Sequence, residues 1–364
     1  MKILTVFNNK GGVGKTTLTY HLSCALSELG KKVLMIDLDP QSNLTLYGCS
    51  IEVLHNIWSK EDIFIDEGFN AGKDTVSEEG LKEILSSTRT IHFLLKPTED
   101  GFDDLSELPP PLHLYDNLDL IPGRLTLHQY EDKISSRWND AYSGDVLAIR
   151  TITQIRNIAH KYAEKYGYEY VIIDTSPSLG TLNKVIISTA DGFMIPALPD
   201  MFSLYGIRNI GNSLRNWKKN LDTIYSLISS EKRKSFPEKS IQFLGYTIYN
   251  AKRYSGGNMN LALAHYNYVK QIPDTIKEFI PSDLYTNIPS ETISEIIGHE
   301  SIMHAHNTVS SMSQKYRCPF WKVPSADLDA EDRGTIIGNK AIYENTQQAY
   351  IAFAQSFLER VDAI

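Results

Sequence analysis

The most constraining feature of this chain lies at its start. A short apolar run, Ile3–Phe7, is followed by Asn8 and Asn9 and then by Lys10-Gly11-Gly12-Val13-Gly14-Lys15-Thr16-Thr17. Leu18, Leu22, Ala25, Leu26 and Leu29 recur at helical spacing, and Gly30 is placed to end that helix. A second apolar run, Val33–Asp37, comes next. Strand, helix and strand in this order predict two parallel strands joined by a right-handed crossover. Glycines let successive backbone N–H groups turn inward around an anion, and the following helix points its positive end at the same place.

The glycine-rich stretch nearly matches the phosphate-binding pattern G-x-x-x-x-G-K-[ST], with Asn9 where the first glycine would stand. Lys15 is then the charge for the β- and γ-phosphates, and Thr16 the hydroxyl for Mg²⁺. The chain is therefore expected to bind Mg·ATP and to hydrolyse it. Lys10 is a second lysine that the loop does not need for its own phosphates. It is either a solvated charge or a group that reaches a phosphate, in its own subunit or in a facing one.

Two carboxylates close the second strand in Asp37-Leu38-Asp39-Pro40-Gln41-Ser42-Asn43. Such a position faces the crevice where ligands bind in open α/β sheets. One carboxylate suits water-mediated contact with Mg²⁺, and the other the orienting of an attacking water. The apolar run Tyr170–Asp174 ends in a third acid and continues as Thr175-Ser176-Pro177-Ser178-Leu179-Gly180. An apolar strand ending in Asp after a P-loop is the arrangement that holds a carboxylate near the metal.

Further runs predict strands at Leu118–Gly123, Gly192–Leu198 and Phe243–Asn250, and helices at Ala148–Tyr166 and Tyr343–Val361. The alternation implies an α/β fold with a mainly parallel sheet, and with the phosphate-binding loop the expected fold is that of a P-loop NTPase, doubly wound and flanked by helices. Residues 1–364 read as one domain. The stretch of about 59–115, acidic and carrying Pro109-Pro110-Pro111 near its end, reads as a surface insertion, partly helical around Glu78–Leu85. A second possible insertion spans about 305–340.

Charge is unevenly placed. Ser59–Asp119 holds 15 acids and 5 bases, whereas Arg208–Arg253 holds 10 bases and 3 acids, in a chain of net charge -8. Binding to a polyanion depends on the field at one face, so the basic stretch keeps duplex DNA open as a partner. The candidate contacts are Arg208, Arg215, Lys218, Lys219, Lys252 and Arg253, against the alternative of a solvated helix face. Cys24, Cys49 and Cys318 are too few and too scattered for a disulfide frame or a zinc site. No apolar stretch approaches the ~18 residues of a membrane span, and the N-terminus lacks a signal-peptide pattern, so a cytoplasmic location is expected.

Lys10–Thr17, Asp37–Asn43 and Tyr170–Gly180, in this order, resemble the ParA/MinD family of deviant Walker ATPases, on the ParA side. Lys10 is the deviant lysine. The resemblance extends through Leu118–Gly123, Leu198–Ile207, Thr247–Arg253, Ile288–Glu295 and the last helix, and skips 59–115 and 305–340. It implies an ATP-sandwich homodimer in which Lys10 touches the partner's nucleotide. Gly11, Gly12, Val13 and Gly14 would cradle the phosphates, with Lys15 on the β- and γ-phosphates and Thr17 on the α-phosphate. Thr16, Asp39 and Asp174 would serve Mg²⁺, and Asp39 would also be the hydrolytic carboxylate. Asn250 and Pro289 fall where the family holds the base.

The resemblance also implies slow ATP hydrolysis stimulated by a ParB-like or other adaptor, non-specific DNA binding, and partition of a plasmid, a chromosome or another cargo. That use would make the protein nucleoid-associated. The family usually has Gln where Asn9 stands. A membrane-cycling switch is disfavoured, because the tail Ala352–Ile364 has one Arg and two acids rather than a basic amphipathic face. A metal-cluster carrier would need better-placed cysteines. The alternative kept is a nucleotide-dependent switch of the same family that gates a partner protein without DNA partition.

Overall fold

The computed structural model describes residues 1–304 and 309–364. Seven strands form one sheet. They are β1 Lys2–Val6, β2 Val33–Leu38, β3 Leu112–Tyr115, β4 Leu118–Ile121, β5 Tyr170–Thr175, β6 Gly192–Ala197 and β7 Gln242–Ile248, in the order β3-β4-β2-β5-β1-β6-β7. Only the β3–β4 hairpin at the edge is antiparallel. β1, β2, β5 and β6 are apolar nearly throughout and buried on both faces, as a parallel sheet between two helical layers requires. Each such Leu, Ile or Val contributes about 1.5–3 kcal/mol by leaving water.

The helices before β3 are α1 Lys15–Glu28, α2 Thr45–Gly48, α3 Ile51–Asp66, α4 Phe69–Thr75, α5 Glu78–Leu85 and α6 Ile91–Asp100. Between β4 and β7 lie α7 His128–Arg137, α8 Val146–Tyr166, α9 Thr181–Thr189, α10 Met201–Leu227 and α11 Ser230–Arg233. After β7 come α12 Leu263–Phe279, α13 Ser290–Ser294, α14 Val309–Tyr316, α15 Ala330–Gly338 and α16 Lys340–Val361. Local signals set their ends. Asp145 caps α8 by accepting from the Ala148 N–H at 2.8 Å, and Gly167 ends it at φ 76°.

The reading of 59–115 as a surface insertion is corrected by α6. Every residue from Ile91 to Glu99 is buried, charged ones included. Lys96 Nζ lies 2.7 Å from Glu99 and 3.1 Å from Asp100, and His92 Nε2 lies 2.9 Å from the other Glu99 oxygen. Asp104 pairs with Arg150 and Lys161 of α8. Much of this segment's charge is thus answered inside the molecule, while the acids of α4 and α5 face solvent.

Residues 305–308 of the second expected insertion lie outside the described residues. The rest, 309–340, packs on the body. Phe320 and Trp321 are buried against His21 of α1 and Tyr350 of α16. The cysteines are buried and unpaired. Among the described residues no helix is long and apolar enough to cross a membrane.

Candidate nucleotide-binding and hydrolysis site

β1 is central, so the loop that leaves it opens at the carboxyl edge between β5 and β6. Asn8 pins the head of this loop. Its amide donates to the Pro196 carbonyl at 2.7 Å and its Oδ1 accepts from the Lys10 N–H at 3.0 Å. Gly12 and Gly14 have φ of 73° and 82°, in the left-handed region that glycine favours. Gly14 is constrained twice, because a Cβ there would stand 2.1 Å from Tyr249 Cδ1. α1 starts at the next residue, and its first turn carries no acid to oppose an anion. Val13 is buried beneath the loop.

The acids arrive from adjacent strands, since β2 and β5 pair with Asp37 beside Asp174. Thr16 Oγ1 donates to Asp174 Oδ2 at 2.8 Å. Burial first, and then the neighbouring Asp37, push the Asp174 carboxyl well above its ordinary range. Burial lowers the Lys15 ammonium, opposed by Asp174 and Asp39. Its Nζ donates to the Lys10 carbonyl at 3.1 Å, folded back along the loop.

The two carboxylates of Asp37–Asn43 have separate tasks. Asp37 is fully buried and accepts from the Thr45 N–H at 2.8 Å, the Thr45 hydroxyl at 2.6 Å and the Asp39 N–H at 3.2 Å. Burial pushes it up to about 7. It holds the turn that presents Asp39. Asp39 lines a cavity of about 420 Å³ with Gly11, Gly12, Gly14, Lys15, Thr16 and Thr17. A phosphate cradle, a lysine, and a hydroxyl hydrogen-bonded to an acid form a donor set that fits a Mg²⁺-bound polyphosphate.

Lys10 stands apart. Its ammonium lies 2.5 Å from Asp200 Oδ2, where Asp200 caps α10 through the Ser203 N–H. Burial pushes Asp200 up, but Lys10 and Ser203 outweigh it and hold the carboxyl below its usual range. Phe202, 67% exposed, lies 5.6 Å from the ammonium.

The base-binding positions fare differently. Asn250 is exposed, with φ 57°, just past β7, and it is Tyr249 that packs on the loop. Pro289 is a correction, because it lines a separate cavity with Ile288, Glu295 and Arg360. The chain is level with the middle of β7 only at Ile296, which bridges Tyr246, and reaches Ala251 at His304. Pro289 precedes that climb. Sequence reading missed Asp200, Tyr249, Tyr47 and the α14 residues Ser310, Ser311 and Gln314, which line the cavity with Tyr47. Only Asp200 carried a signal, as an N-cap type ahead of a helical pattern.

The basic stretch does not form a single face. Arg208, Arg215 and Lys219 recur along the exposed side of α10. Lys218 is tied to Asp222 at 2.8 Å and Asp283 at 3.5 Å, so it is removed from the free charges. Lys232 donates to the Gly144 carbonyl, and Arg233 to those of Tyr225 and Ser226. Lys252 and Arg253 are exposed just past β7.

A family model described as an AAA domain matches residues 1–226, which carry all three motifs. Soj, the sporulation initiation inhibitor protein of Bacillus subtilis, is 29% identical over 223 residues, 61% of this chain and 68% of Soj. This chain belongs to the ParA/MinD family of P-loop ATPases. The probable plasmid-partitioning protein ParA of Thermus thermophilus is 25% identical over 224 residues, and the match covers 61% of this chain but 53% of that relative. In fold the chain is similar to pNOB8 ParA, with a TM-score of 0.56, 19% identity and coverage of 99% of this chain and 98% of that one. It is likewise similar to Cyanothece McdA in complex with ATP, with a TM-score of 0.54, 17% identity and coverage of 100% and 96%.

Proposed function

We propose that this chain is a ParA-like ATPase that dimerises on Mg·ATP, binds DNA non-specifically, and is released from it by hydrolysis, so as to partition a plasmid, a chromosome or another cargo. The observation that carries the reading is the position of Lys10. One chain's cavity holds Lys15, Thr16, Thr17 and Asp39, with Asp174 beneath Thr16, while the second lysine sits outside it on Asp200. Two triphosphates facing each other need cations between them, and a lysine at the head of each loop supplies them. Pairing across the dimer frees Lys10 from Asp200 and delivers it to the partner's nucleotide, where it stabilises transition-state charge as an arginine finger does.

Within one chain the loop N–H groups and Lys15 would bind the phosphates, Thr16 and Asp174 would hold Mg²⁺, and Asp39 would orient the attacking water. Held there, a divalent metal would supply positive charge to the phosphates. Hydrolysis by the free protein is slow and rises with an adaptor protein. The description of a related structure as pNOB8 ParA bound to non-specific DNA supports the DNA step. Light scattering with Mg·ATP tests the reading, with Asp39→Ala to slow turnover. A dimer is expected from Asp39→Ala and a monomer from Lys10→Ala, and a Lys10→Ala protein that dimerises normally would make this lysine a bystander.

A second reading has its own observation. Asp66, Glu67, Asp74, Glu78, Glu79 and Glu83 stand exposed along α3–α5. This acidic shoulder suits a basic partner protein gated by the nucleotide state, and an ATP-bound dimer that ignores DNA at low salt favours it.

A further inference from the structure

The third wall of the P-loop cavity comes from α14, which lies beyond the residues that the family model matches. This helix is fixed to the loop helix rather than resting near it. His21 Nδ1 donates to the Thr17 carbonyl at 2.7 Å, and His21 Nε2 accepts the Phe320 N–H at 3.2 Å. Ser313 Oγ lies 3.3 Å from the same nitrogen. At the tip, Ser310 lines the cavity together with Thr17, and Tyr249, which packs on Gly14, accepts from the Tyr350 hydroxyl at 3.4 Å.

The chemistry of this wall differs from that of the rest. Lys15, Thr16 and Asp39 mark the end of the cavity that takes the reacting phosphates. Beyond Thr17 the lining is neutral and consists of Tyr47, Ser310, Ser311 and Gln314. The one cation of α14, Lys315, is turned onto α15 and the turn before it, 2.6 Å from Asp329 and 2.7 Å from Asp332. The half-buried Gln314 carboxamide makes no hydrogen bond among the described residues. A carboxamide offers a donor and an acceptor side by side, as the edge of a purine does. Hydroxyls beside it suit a ribose.

We infer that α14 is the nucleoside-binding wall of this ATPase, with Gln314 holding the base that Asn250 and Pro289 were expected to hold and Ser310 holding the sugar. The inference rests on the reading that the P-loop binds a nucleoside triphosphate. His21 is a positioning residue, bonded to the Thr17 carbonyl and set beside Ser313 of α14.

Photo-crosslinking with 8-azido-ATP, followed by peptide mapping, tests it directly. Label is expected within 309–316, to be competed by ATP and lost in Lys15→Ala. Label confined to other segments, such as the loop after β7, overturns the assignment while leaving the P-loop reading intact. Gln314→Ala should weaken Mg·ATP about threefold to tenfold by calorimetry, as the loss of one neutral hydrogen bond implies. Its affinity for Mg·tripolyphosphate and its melting temperature should stay unchanged. Equal losses for both ligands, or no loss for ATP, would sink the role of Gln314. A wild-type protein that binds neither ligand and takes no label would remove the nucleotide reading itself.

Discussion

Asp37 and Asp39 show at the scale of single residues how much a motif leaves unsaid. Both carboxylates are plain in the sequence, but their roles are not, because the partners of Asp37 are the backbone and hydroxyl of Thr45. With Asp37 committed to that turn, Asp39→Ala should leave Mg·ATP affinity within about threefold of wild type and abolish turnover. Measured phosphate release at the wild-type rate would take Asp39 out of the chemistry. A second residue-level expectation concerns Glu61, fully buried between Thr90 and Arg124. Burial raises its carboxyl to about 7, against the hydrogen bonds from Thr90 and the charge of Arg124. The folded state therefore holds a proton that the unfolded chain releases near 4.5. That contribution is complete below the unfolded value and is lost as pH rises through about 7. Glu61→Gln should match wild type near pH 5 and decline less by pH 8, a difference of up to about 3 kcal/mol in denaturant melts. Parallel pH profiles for the two proteins would show that Glu61 does not titrate in this window.

Legibility at the scale of elements follows the range of the interactions that set each one. β1, β2, β5 and β6 are legible because a strand buried on both faces has to be apolar nearly throughout. α6 is not legible, because its buried face includes Lys96, Glu99 and His92, residue types that ordinarily mark a surface. Only their mutual pairing permits burial, and pairing is a tertiary fact. The wall formed by α14 is hidden for a similar reason, since its link to the P-loop helix joins His21 to Ser313 across most of the chain. In α6, Glu99→Ala should destabilise the fold by about 3 kcal/mol. Lys96 keeps its contact with Asp100, which sets the loss at the low end for a broken buried pair. A shift in the urea midpoint worth less than about 1 kcal/mol would mean that the His92–Glu99–Lys96 cluster is solvated in solution.

For the whole molecule, the question is whether the charges on α10 add up to a surface for DNA. The local net of the basic stretch overstates the case, since Lys218 and Lys234 are paired with Asp222 and Glu231, and Lys232 and Arg233 lie off α10, on α11, held against backbone carbonyls. What remains on α10 is Arg208, Arg215 and Lys219, spaced seven and four residues apart and so on one face of the helix. Arg208 rests its guanidinium 5.4 Å from the Phe279 ring, and Arg215 bonds Asn212, which orders both side chains without neutralising them. In a two-fold dimer the three charges become six. With about 0.9 counterions released per phosphate contact, six contacts give a log–log salt slope near -5. Duplex affinity should then fall about a thousandfold between 50 and 200 mM salt. Fluorescence anisotropy with a random-sequence duplex, Mg·ATP and Asp39→Ala protein measures this slope. Arg208→Glu, Arg215→Glu and Lys219→Glu combined should abolish binding and leave ATP affinity and dimerisation unchanged. If the triple variant keeps both the affinity and the slope, the contacts lie elsewhere, and Lys252 and Arg253, exposed past β7, become the next charges to reverse.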